Sequence, residues 1–116
     1  MSNEKVFHMK LETVYPLLTA KAKKKGRTRA EVDQAACWLT GYSPEELASL
    51  LKSSITYGDF FCQAPAPNPQ RWQITGVVCG VRAETISDPL MREIRYLDKL
   101  VDELARGKPL DRVLRK

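Results

Sequence analysis

Leu90, Ile94, Leu97, Val101 and Leu104 recur at spacings of four, three, four and three, which places them on one stripe of a helix. Both ends of that helix are marked. Asp88 suits the N-cap, and Pro89 suits the first turn, where its missing N–H is not needed. Gly107 suits the left-handed residue after the helix, and Pro109 prevents its continuation. Burying each of the five side chains is worth roughly 1.5–3 kcal/mol, so this C-terminal helix is expected to carry much of the core.

The same reading upstream gives shorter elements. Residues 1–9 read as a loosely held entry segment. A helix is expected over Leu11 to Lys25, with Val14, Leu17, Leu18 and Ala22 on its apolar face and its regular part starting near Tyr15 because of Pro16. Thr28-Arg29-Ala30-Glu31 has the form of a capping box, opening a helix that Gly41 stops; Val32, Ala35, Ala36 and Leu39 form its inner face. Ser43-Pro44-Glu45-Glu46 repeats the cap, followed by Leu47, Leu50 and Leu51. Thr56 or Ser54 caps a fourth helix, from about Tyr57 to Gln63, with Phe60 and Phe61 inward.

Three prolines in Ala64–Pro69 make that stretch an extended loop. In 70–82, Ile74, Val77, Val78 and Val81 favour a strand locally, yet no partner strand is evident, and short helical turns are the expectation. Residues 110–114 read as a final turn of helix. The fold class is therefore all-α: one domain over 1–116, a compact bundle of five or six short helices packed at steep angles around the long C-terminal helix.

Composition narrows the setting. At 116 residues and 43% hydrophobic, the chain can bury a core without staples. No run approaches the ~20 apolar residues of a membrane span, and the N-terminus lacks a signal-peptide pattern. Cys37, Cys62 and Cys79 are odd in number and widely spaced, which argues for a reducing, cytoplasmic setting. The net charge of +5 is concentrated at Lys21, Lys23, Lys24, Lys25, Arg27 and Arg29 and at the C-terminus. That cluster is a candidate nucleic-acid surface, read alternatively as a solvated helix face. Specific DNA reading is disfavoured, because Glu45 and Glu46 open the would-be recognition helix.

Catalytic constellations fail on inventory. His8 is the one histidine, the three cysteines have no zinc spacing, and no phosphate or dinucleotide loop is present. No cofactor and no metal site is expected. Cys79, flanked by glycines with Arg82 nearby, is the thiol with most chemical interest, and a cysteine-based enzyme or redox protein is the alternative it supports. Trp38, Tyr42, Phe60, Phe61 and Trp72 line a pocket or fill the core. Asn68, Trp72, Cys79 and Arg82 fall in one proline- and glycine-bounded segment and form the candidate ligand site, with Arg82 suited to a small anion. The contrasting reading makes Trp72 a core plug and pairs Arg82 with Glu84 or Asp88.

The runs Lys25-Gly26-Arg27-Thr28, Cys37-Trp38-Leu39-Thr40-Gly41-Tyr42, Gln63-Ala64-Pro65 with Asn68-Pro69, Gly76-Val77-Val78-Cys79-Gly80-Val81-Arg82 and Asp88-Pro89-Leu90-Met91 through Gly107 closely resemble a family of small bacterial proteins, domain of unknown function 2200. The resemblance runs from about Val6 to Leu114. It implies a mainly helical cytoplasmic protein and brings no activity, ligand or catalytic residue. The function expected is a non-enzymatic ligand-binding or protein-interaction domain, with a homodimer admitted and no membrane partner.

Overall fold

The computed structural model describes residues 3–78, 81–82 and 85–114. Its helices are α1 (Asn3–His8), α2 (Leu11–Lys24), α3 (Arg29–Thr40), α4 (Pro44–Leu51), α5 (Tyr57–Cys62), α6 (Pro89–Ala105) and α7 (Leu110–Val113). The fold is all-α, with six shorter helices besides the 17-residue α6 among the described residues. No helix among the described residues is long and apolar enough to cross a membrane.

Local chemistry sets the boundaries. Thr28 and Ser43 each complete a capping box, with Glu31 and Glu46 respectively. Thr56 caps α5 through Asp59 N–H, and Asp88 caps α6 through the N–H groups of Leu90 and Met91. Helix α3 ends at Gly41 with φ 83°. There the proline loop docks: Ala66 N–H donates to Thr40 O and Asn68 N–H to Leu39 O, satisfying carbonyls that the helix end leaves open.

Helix α2 corrects one expectation. It starts at Leu11, not near Tyr15, and passes through Pro16. Its start is fixed by tertiary pairing: Leu11 N–H donates to Ile55 O, and Tyr57 N–H donates to Met9 O. Pro16 sits on the exposed face, where the carbonyl it leaves unbonded meets water. The inner stripe also differs from the expected one. Leu11, Tyr15, Leu18 and Ala22 are buried, while Leu17, read as part of the inner face, is exposed.

Residues 70–82 differ in part from expectation. Arg71–Gln73 is a 3-10 turn, as read from the sequence. The valines that follow form a minimal antiparallel hairpin, β1 (Val77–Val78) with β2 (Val81–Arg82), paired Val77 to Arg82 and Val78 to Val81. The missing partner strand lies within the segment itself. The hairpin is held on α6 by Lys99, whose Nζ donates to Val77 O at 3.3 Å.

The core lies between α2, α3, α5 and α6. Leu97, Leu100, Val101 and Leu104 of α6 are fully buried with Leu11, Val32, Leu39 and Phe60. Tyr42, Tyr57, Phe60 and Phe61 pack ring on ring, Tyr42 stacking on Phe60 at 5.0 Å between centroids. Of the five aromatics singled out from the sequence, Tyr42, Phe60 and Phe61 are core, whereas Trp38 is half-buried and Trp72 exposed.

Candidate functional site

Helix α3 has two working faces. Val32, Ala35, Ala36 and Leu39 enter the core. Ala30, Asp33, Gln34, Cys37 and Trp38, one to two positions round the helix, line a cleft of about 530 Å³ that Pro44 and Leu114 close. Residues three and four apart on a helix are neighbours, so Ala30, Asp33, Gln34 and Cys37 form one continuous wall. The opposite wall comes from the chain end. Arg27 NH1 donates to Lys108 O at 2.8 Å, which pins the turn before α7 beside the start of α3. Val113 and Leu114 are then buried.

Among the described residues Asp33 is the charged side chain that lines the cleft. Its Oδ1 accepts from the Tyr15 hydroxyl at 2.5 Å. Its Oδ2 lies 3.7 Å from Arg29 Nε, an ion-pair distance that is long for a hydrogen bond. Burial, then the Asp33 hydrogen bond and charge, push the Tyr15 phenol far above its ordinary range, so it remains a donor. Burial also pushes the Cys37 thiol up, and the carboxylates of Asp33, Glu45 and Glu46 add to the shift. Cys37 is therefore held as a thiol rather than as the thiolate that nucleophilic chemistry needs.

A second, smaller hollow of about 230 Å³ is lined by Tyr15 together with Glu12, Pro16, Thr19, Lys23, Arg29 and Leu51. A third, of about 250 Å³, is lined by Phe61, Cys62, Pro89, Leu90 and Glu93. Among the described residues no group of three histidine, cysteine, aspartate or glutamate side chains is placed to hold a metal.

The segment singled out from sequence is placed differently from this cleft. Asn68 is a turn former: its Oδ1 accepts from Gln70 N–H at 2.8 Å, and its backbone oxygen accepts from Arg71. Trp72 is 67% exposed, so it plugs no core. Arg82 is exposed on β2, and Cys79 lies outside the described residues, as does Glu84. Neighbouring Arg71 pairs with Glu93 at 2.7 Å and fixes the loop to α6. None of the three hollows is lined by Asn68, Trp72 or Arg82.

The basic cluster is divided among partners. Lys21 pairs with Asp102 at 3.3 Å, Arg27 with Glu31, and Arg29 with Asp33. Lys23, Lys24 and Lys25 are exposed. Trp38 is one of the aromatics that the sequence reads as lining a pocket or filling the core, and it lines this cleft. The usable signal was surplus: α3 has one apolar stripe for the core, and Ala30, Cys37 and Trp38 lie off it.

A family model described as "uncharacterized protein conserved in bacteria (DUF2200)" matches residues 5–115. The chain is also similar to the crystal structure of uncharacterized protein SP1917, with 51% identity and a TM-score of 0.94, over 99% of this chain and 93% of that one. No curated protein matches it.

Proposed function

The chain belongs to the DUF2200 family of uncharacterized bacterial proteins, and from that premise we propose that it is a non-enzymatic domain that binds a small ligand in the cleft between α3, the start of α4 and α7. The observation that carries this reading is the cleft's make-up: about 530 Å³, walled by Ala30, Cys37, Trp38, Pro44 and Leu114, with Asp33 and Gln34 as the polar groups. Small-molecule sites are typically about 300–1,000 Å³, mostly apolar, with a few placed polar anchors. A thiol held protonated beside carboxylates supports binding over nucleophilic chemistry. The free thiols of Cys37 and Cys62 support a reducing, cytoplasmic setting.

A nucleic-acid role is less well supported. Lys21, Arg27 and Arg29 are engaged by carboxylates of the same chain, which weakens the field they present to phosphates.

A thermal-shift screen of small fragments tests the reading, run on wild type and on Ala30→Phe. Ala30 is exposed on α3, so a larger side chain there fills the cleft without entering the core. Fragments that stabilise wild type should lose their effect on the variant. Fragments that stabilise both equally, or none that stabilises wild type, would overturn the assignment.

A further inference from the structure

We propose that the ligand of this cleft is a small organic cation, an amine with an apolar or aromatic body, held by Asp33 and the Trp38 ring. The proposal rests on the cleft reading above and adds the ligand's charge and chemistry.

Four observations converge. First, among the described residues the one charged side chain lining the cleft is a carboxylate, Asp33. Secondly, that carboxylate has capacity to spare. Tyr15 takes Oδ1, while Arg29 stands off at 3.7 Å from Oδ2 on a side chain that is 55% exposed. Surface pairs of that kind are worth about 0–1 kcal/mol, so an ammonium can compete with Arg29 for Oδ2. Thirdly, Trp38 lies in the same wall, and the face of an indole attracts a cation within about 6 Å. Gln34 adds an amide oxygen that accepts from an ammonium N–H.

The fourth observation is the sign of the surroundings. The chain as a whole carries +5, yet after burial it is the carboxylates of Asp33, Glu45 and Glu46 that push up the Cys37 thiol in the cleft wall. Glu46 is held in place by Ser43 N–H at 2.9 Å, so its charge is fixed beside Pro44 at the rim. The positive end of α4, which would otherwise draw an anion, is answered by its own Glu45 and Glu46. An anion of the same shape meets repulsion from these carboxylates, and a cation meets attraction.

The test is a probe series of one shape and three charges: phenethylamine, phenethyl alcohol and phenylacetate. The protein is Trp72→Phe, which leaves Trp38 as the fluorescent reporter in the cleft wall. Quenching titrations should give phenethylamine a Kd about tenfold below that of the alcohol, with phenylacetate weakest. Asp33→Asn should bring the amine to the level of the alcohol. Glu45→Gln, at an exposed position away from the core, should lower amine affinity more mildly and leave the alcohol unchanged; it serves if Asp33→Asn fails to fold. Equal binding of all three probes, or an amine affinity untouched by both variants, overturns the cation assignment and leaves the cleft reading standing. No binding by any probe, together with a fragment screen empty of hits, overturns both.

Discussion

Tyr15 and Asp33, eighteen residues apart on adjacent helices, are joined by a 2.5 Å hydrogen bond from phenol to carboxylate. The bond ties α2 to α3, and Asp33 lines the α3 cleft while Tyr15 lines the second hollow. A hydrogen bond to a charged group contributes about 1.5–3 kcal/mol. Tyr15 is 2% exposed, so Phe fits the site with the ring packing kept. Tyr15→Phe should therefore lower unfolding stability by about 1.5–3 kcal/mol, read from urea midpoints at unchanged slope. An unchanged midpoint would mean that the bond contributes nothing net.

The turn between α3 and α4 makes a sharper prediction, because two glycines of equal backbone geometry differ in surroundings. Gly26 and Gly41 have φ of 84° and 83°. A Cβ at Gly26 meets nothing within 4 Å, whereas one at Gly41 falls 2.5 Å from the Ala66 carbonyl oxygen. Gly26→Ala should cost about 1–2 kcal/mol, the left-handed penalty alone. Gly41→Ala must in addition displace the proline loop from Thr40 and Leu39, and should cost clearly more. Equal losses in thermal denaturation would show that the loop yields freely.

Helix α6 bears the core. Leu97 is fully buried on it, and Leu97→Ala should cost about 2–5 kcal/mol through lost burial and the cavity left behind. Asp88→Ala removes the acceptor for Leu90 and Met91 N–H and should cost about 0.5–2 kcal/mol. Chemical denaturation of the two variants checks both, with Leu97→Ala the larger.

Much of this architecture is legible in the sequence because short-range chemistry writes it. Thr28 with Glu31, Ser43 with Glu46 and Asp88 with Pro89 mark helix starts within three residues of chain, and the structure keeps all three. What local pattern misses is set by partners far along the chain. Pro16 argues for a late start to α2, but the pairing of Leu11 with Ile55 and of Met9 with Tyr57 starts it at Leu11. Val77 and Val78 pair with Arg82 and Val81, so each strand is two residues long, too short to show a period of its own. The cleft depends on Leu114 reaching Cys37 and Trp38, a relation with no local signature.

Alkaline unfolding gives the last prediction. Burial raises the phenols of Tyr15, Tyr42 and Tyr57 above the ordinary tyrosine value of 10.0. The folded protein then holds protons that the unfolded chain releases. Stability from these groups is fully present below pH 10 and is lost as pH rises above it, by up to about 1.4 kcal/mol per pH unit for each tyrosine that stays neutral when folded. Other basic groups also titrate at high pH, so the informative quantity is the difference between variants. Tyr57 isolates it. Its hydroxyl is buried and finds no hydrogen-bond partner among the described residues. Tyr57→Phe should raise stability at neutral pH by about 1–3 kcal/mol, the penalty of an unmade hydrogen bond. It should also flatten the fall above pH 10. Tyr15→Phe should flatten the same fall while lowering stability at neutral pH, because it gives up the bond to Asp33. Urea titrations from pH 7 to 11 on the three proteins measure both effects; parallel curves for wild type and Tyr57→Phe would show that the Tyr57 phenol ionises as freely folded as unfolded.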